Sequence, residues 1–145
     1  MKVLQINSIC GSRSTGRICT DIAEILNING HENMIAYGRD PIPPEHREHA
    51  FRIGSNMDIY RHAATSLLFD SAGFGSLSAT SRFVDWVDRY NPDIIHLHNM
   101  HGYYINMDVL FNYLSQAKKR VVWTMHDCWA FTGHCPYFSA VQCDR

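Results

Sequence analysis

Apolar and polar positions along the chain change rhythm repeatedly. Residues 2–6 read as a short buried strand, residues 7–16 are rich in turn formers, and Ile18, Ile22, Ile25 and Leu26 then recur at helical spacing up to Asn29 and Gly30. Residues 33–37 read as a second strand closed by Gly38, and residues 51–53 as a short third one. Between them, the proline-broken and polar residues 41–49 predict a loop. Tyr60, Ala64, Leu67 and Leu68 mark a helix over residues 57–69, and the glycines of residues 73–76 predict a flexible loop after it.

Thr80 or Ser81 can cap the next helix, whose stripe is Phe83, Val84, Val87 and Tyr90, before Asn91 and Pro92 stop it. A strand over residues 93–98, a helix around residues 109–114 and a last strand over residues 120–125 complete the series. Strands that alternate with helices imply an α/β fold, a parallel sheet with right-handed crossovers and helices on both faces. In the usual Rossmann-like doubly wound order, the first strand and the strand of residues 93–98 are neighbours at the topological switch point, where ligands bind outside the carboxyl ends. Residues 11–16, residues 96–101 and the pair His126 and Asp127 should then line one crevice.

The length of 145 residues suits one domain, and 46% hydrophobic with 19% charged residues suits a globular one. A net charge of −1 and a pI near 6.7 give no global electrostatic reason to expect nucleic acid or an anionic membrane as a partner. The first apolar run is short and enters a glycine turn directly, so no secretory signal is expected and the cytoplasm is the expected location. Five cysteines make an odd count, and Cys10 and Cys19, at a strand end and on a helix, suit reduced thiols.

Candidate chemistry concentrates at the predicted strand ends. Gly11 and Gly16 flank a loop that permits close backbone approach to a phosphate at a helix amino terminus. The spacing of these glycines is that of a P-loop, but Arg17 and Ile18 stand where lysine and a hydroxyl residue are required, so that reading fails. A plain tight turn is the alternative. Period two puts His96 and His98 on one strand face and Ile95 and Leu97 on the other. With Asn99 and His101, the histidines form a cluster that a metal hydrolase can use, with Asp127 as a further group; alternatively His96 packs under a helix and His101 is a surface loop residue. His126 follows the last strand and can hydrogen-bond a hydroxyl or phosphate, or serve only to hold its loop. Cys128, His134, Cys135 and Cys143 match no standard zinc spacing; free thiols are the simpler reading and a metal site the weaker one. Trp129, Phe131, Tyr137 and Phe138 in the same stretch suit stacking on a sugar ring or packing of a lid.

The run NPDIIHLHNMHGYYINMDVLFNYLSQAKKRVVWTMHDCWAFTGHC resembles the amino-terminal domain of glycosyltransferase family 4, especially bacterial enzymes of surface-polysaccharide assembly. With MKVLQINSICGSRSTGRI and GFGSLSAT, the resemblance extends over essentially the whole chain. It implies the amino-terminal, acceptor-side half of a GT-B fold, two Rossmann-like domains facing across a cleft. By that resemblance residues 11–16 lie near the donor diphosphate or the acceptor, His126 approaches the transferred sugar, and His98 and Asn99 line the crevice. Ser76 and Thr80 are assigned to an acceptor-side loop, and Asp127 to substrate contact.

The resemblance further implies retention of anomeric configuration, a nucleotide-sugar co-substrate, a lipid-linked or saccharide acceptor, and no metal or other cofactor. A peripheral contact with the inner face of the membrane is expected with it. In such enzymes a carboxyl-terminal domain grips most of the nucleotide-sugar and supplies a pair of glutamates. The present sequence includes no such domain and breaks off within the cysteine-rich stretch, so it is expected to be truncated and inactive alone. Two other readings remain, the metal-dependent hydrolase and a saccharide- or nucleotide-binding module without turnover.

Overall fold

Five parallel strands form a single sheet in the order β3-β2-β1-β4-β5 in the computed structural model, which describes residues 1–132 and 137. The strands are β1 (Lys2–Asn7), β2 (Glu32–Tyr37), β3 (Ala50–Arg52), β4 (Ile94–Leu97) and β5 (Arg120–Trp123). The helices are α1 (Arg13–Ile28), α2 (Asn56–Phe69), α3 (Leu77–Tyr90), α4 (Met107–Gln116) and the short α5 (Trp129–Thr132). Strand β1 pairs with β2 on one side and β4 on the other, so the chain reverses its winding direction between β1 and β4. This is the Rossmann-like doubly wound α/β arrangement, with the switch point where the alternating pattern puts it.

The period-two rule sorts the core. Leu4 and Ile6 of β1 join Ile95 and Leu97 of β4, all fully buried, against Phe83 and Val87 of α3 and Leu110 of α4. The opposite face of β2, with Ile35 and Tyr37, packs against Cys10, Cys19 and Ala23. On that face β1 carries buried Gln5 and Asn7 in place of apolar residues.

Several local expectations give way to packing. Residues 41–49 include a 3-10 helix, Pro44–His49, instead of being loop throughout. Helix α1 lies on the sheet through its small residues Gly16, Cys19 and Ala23, while Ile18 and Ile25 of the predicted stripe are exposed. Small side chains let its axis approach the strands closely, which a row of isoleucines would prevent. In α2 the helix is present but the buried side is His62 and Ser66, and Tyr60, Ala64, Leu67 and Leu68 all face outward. Helix α3 starts at Leu77 with Ser76 as N-cap, so Thr80 lies in its first turn and Ser81 within it, and neither caps it.

The glycine loop of residues 73–76 is fastened rather than loose. The Gly75 amide donates to His62 Nε2 (3.0 Å), His62 Nδ1 meets Ser76 Oγ (3.0 Å), and Ser76 Oγ donates to the Tyr103 carbonyl (3.3 Å). Asn106 Nδ2 donates to the Phe74 carbonyl, and the Met107 amide to that of Gly73. A side chain at Gly75 would place its Cβ 2.3 Å from His62 Cγ, so only glycine fits this approach.

Candidate functional site

The carboxyl ends of β1 and β4 are tied together by one buried side chain. Asn7 Nδ2 donates to the Ile9 carbonyl (2.8 Å) and lies 3.5 Å from Thr15 Oγ1, while its Oδ1 accepts from the Asn99 amide (3.2 Å). The end of β1, the turn into α1 and the far-off segment after β4 are thereby held around a common point. The turn between β1 and α1 is compact: Gly11 has φ 69°, its amide donates to the Gly16 carbonyl (3.1 Å), and a Cβ on Gly16 would press within 3.2 Å of the Gly11 nitrogen.

Above these ends lies a crevice of about 310 Å³, lined by Ser8, Ile9, Arg13, Ser14, Thr15, Arg39, Asp40, Asn99, His101, His126, Asp127 and Tyr137. Arg13 Nε and Asp40 Oδ2 pair across it at 3.1 Å. Both residues are in the left-handed backbone region, with φ 53° and 61°, a cost of about 1–2 kcal/mol each for side chains of this type. Ser12, the N-cap of α1, makes no cap hydrogen bond, and its buried Oγ has no partner among the described residues. Ser14 and Thr15 of the first turn of α1 line the crevice, and a helix amino terminus without a side-chain cap is suited to an anion.

Histidines occupy the β4 and β5 side. His98 is 1% exposed and uses both ring nitrogens: Nε2 meets Gln5 Oε1 (3.1 Å) and Nδ1 meets His126 Nε2 (3.0 Å). Burial, reinforced by His96 and His126, pulls its pKa down to about 3, so it stays neutral at any physiological pH. His96 lies tilted against His98 with ring centroids 4.0 Å apart and meets Thr124 Oγ1 (2.8 Å); burial lowers its pKa as well. His101 Nε2 meets Asp127 Oδ2 at 2.8 Å, and Asp127 Oδ1 accepts from the Trp129 amide (3.0 Å), which orients the carboxylate at the start of α5.

The predicted residues thus divide. Asn99, His126 and Asp127 line the crevice, and His98 lies directly beneath His126. Gly11 and Gly16 are absent from the lining; they shape the turn, and its contribution to the wall comes from residues 13–15. Ser76 and Thr80 are likewise absent from the lining. Thr80 is fully buried, accepts from the Asn106 amide (2.8 Å) and donates to the Ser76 carbonyl (2.9 Å), so it fastens α3 to α4.

His96, His98 and His101 do not converge as a metal-binding set would. His98 has both nitrogens engaged, His96 turns to Thr124 and His101 to Asp127, and no group of three or more metal-ligating side chains is poised among the described residues. His101 is no idle surface residue either, since it holds Asp127. Cys10 and Cys19 are buried free thiols, pushed up to about 11 and about 12 by burial and therefore unreactive. Cys128 is a half-buried free thiol, and His134, Cys135 and Cys143 lie outside the described residues, as does Phe138.

Arg39, Asp40 and the tethers Gln5 and Asn7 escaped the sequence reading, whereas Arg13 falls within the expected loop of residues 11–16. Gln5 and Asn7 had a visible signal, polar residues at alternate positions of an otherwise apolar strand, the pattern of side chains buried for their hydrogen bonds. Arg39 and Asp40 had none, because only the fold carries the segment after β2 to the crevice.

A doubly wound sheet with its polar crevice at the switch point, histidines on the β4 and β5 ends and an open helix amino terminus opposite, defines a Rossmann-like α/β domain with its candidate site at the strand ends. The chain belongs to Glycosyltransferase Family 4, whose sequence profile matches residues 15–141. It is also similar to the protein named "Putative colanic acid biosynthesis glycosyl transferase WcaC" of Escherichia coli (strain K12), with 21% identity over 147 residues. That match covers 94% of this chain and 36% of the relative, so the chain spans about a third of the length of the curated relative it matches.

Proposed function

We propose that the chain forms the acceptor-side wall of a retaining glycosyltransferase. The enzyme moves a hexose-type sugar from a nucleotide donor to a lipid-linked or saccharide acceptor in surface-polysaccharide assembly. The observation that carries this reading is the convergence of residues 13–15, Asn99, His126 and Asp127 on one crevice at the switch point of a family 4 chain. His126 hydrogen-bonds the transferred sugar. The first turn of α1, with Arg13 and Arg39, faces the donor diphosphate, while Gly11 and Gly16 act by allowing the turn to close. A carboxyl-terminal domain of the parent protein grips the nucleotide and supplies the acidic pair.

The name of the relative, which speaks of colanic acid biosynthesis, supports the polysaccharide setting. Leu67, Leu68, Phe69, Phe74 and Leu77 are all more than half exposed around the loop that follows α2, an apolar surface suited to peripheral contact with a cytoplasmic membrane face. Among the described residues no helix is long and apolar enough to cross a membrane.

The test is transfer by the parent protein from a panel of nucleotide-hexoses to lipid-linked and free saccharides, with product configuration read by NMR coupling constants. Transfer with retained configuration, unaffected by chelator, is the expected result. Binding without turnover, inversion, or activity abolished by chelator would each overturn the corresponding part of the proposal.

A further inference from the structure

Three side chains in series connect the interior of the sheet to the crevice, and their hydrogen bonds have a direction. Gln5 Nε2 is 2.9 Å from the Cys19 carbonyl of α1, and both groups are buried. A carbonyl only accepts, so the amide of Gln5 has one workable orientation, with Oε1 turned toward His98. An oxygen facing His98 Nε2 at 3.1 Å requires a proton on that nitrogen. His98 is neutral, so its Nδ1 is then a bare lone pair, and His126 Nε2, 3.0 Å away, must be the donor. His126 in turn carries a proton on Nε2, and in the neutral ring Nδ1, which has no partner among the described residues, is left as an acceptor. Among neutral rings, any other arrangement puts two acceptors face to face in a buried place.

We infer that Gln5, acting through His98, is a positioning residue that holds His126 as its Nε2–H tautomer and so presents an acceptor nitrogen to the crevice. The inference rests on the reading of His126 as a sugar contact and sharpens it. A neutral His126 of this tautomer takes a hydrogen bond from a hydroxyl group and repels a phosphate or carboxylate oxygen. The position beside His126 is therefore a saccharide hydroxyl subsite, and the donor diphosphate belongs on the opposite wall, with residues 13–15 and Arg39.

The experiment is a long-range nitrogen–proton NMR correlation on the histidine-labelled chain at neutral pH, which reports the tautomer of each ring. The expected result is Nε2–H for both His98 and His126. An Nδ1–H pattern for His126, or a charged His98, would overturn the relay. In Gln5→Leu the anchor is lost, and both rings are expected to shift from one tautomer to a mixture; an unchanged His126 pattern would show that Gln5 does not hold it. If that variant does not fold, the wild-type tautomers still decide. The readout is independent of transfer. Absent transfer with intact tautomers would count against the proposed function alone, and a reversed tautomer against the relay alone.

Discussion

His98 is neutral because it is buried, and that has a measurable consequence. An ordinary histidine titrates near 6.5, whereas His98 is held down to about 3. Between those values the unfolded chain takes up a proton that the folded chain refuses. The stability contributed by His98 is therefore complete above about pH 6.5 and falls as pH drops toward 3, at up to about 1.4 kcal/mol per pH unit. His62 and His96, also lowered by burial, add in the same sense. Urea unfolding followed from pH 7 to pH 5 should show a falling midpoint, with a shallower fall in His98→Gln; identical slopes in the two proteins would contradict the assignment. The pairing of His96 with His98 on one face was readable from period two alone, and so was their place near a strand end. What the pattern could not reveal was which partners would reach them, since Gln5 and His126 are brought there by strand neighbours far away in sequence.

At the scale of elements, Asn106 does more than its position in a loop suggests. It is buried, accepts from the Val109 amide as the N-cap of α4 (3.0 Å), and donates to the Phe74 carbonyl. Its own amide donates to Thr80. Replacement by alanine removes the cap and leaves the Phe74 carbonyl without this donor, a loss of about 1–3 kcal/mol. A lowered thermal midpoint with α4 and the loop of residues 73–76 losing amide protection together is expected for Asn106→Ala; an unchanged midpoint would mean that the bonds of His62, Ser76 and the Met107 amide hold the loop without it. Elements themselves were readable from hydrophobic rhythm, because helix and strand periods are local properties. The buried face of α1 and of α2 was not. In α1 close approach favours Gly16, Cys19 and Ala23 over larger apolar neighbours, and in α2 the hydrogen bonds of His62 to Gly75 and Ser76 decide which side turns inward.

For the whole molecule, the doubly wound sheet explains why chemistry gathers at one end. Parallel strands all point their carboxyl ends the same way, and the switch between β1 and β4 opens a gap there that no crossover fills. The opposite end carries a larger cavity of about 460 Å³, but its lining of Asn91, Pro92, Asp93 and Lys118 to Arg120 brings no histidine or helix amino terminus with it. Size alone therefore does not mark the site, and the topology does. On β5, Val121 and Val122 are 42% and 50% exposed on opposite sides of the strand, an apolar edge of the kind that parallel sheets normally cover.

The most direct test of the crevice as the transfer site uses the protein together with the carboxyl-terminal domain proposed above, with one substitution at each end of the sheet. His126→Ala should lower kcat/KM for sugar transfer by about 10²-fold or more, and Lys119→Ala, at the far cavity, should leave it within about twofold of wild type. Full transfer by a folded His126→Ala protein would contradict the account.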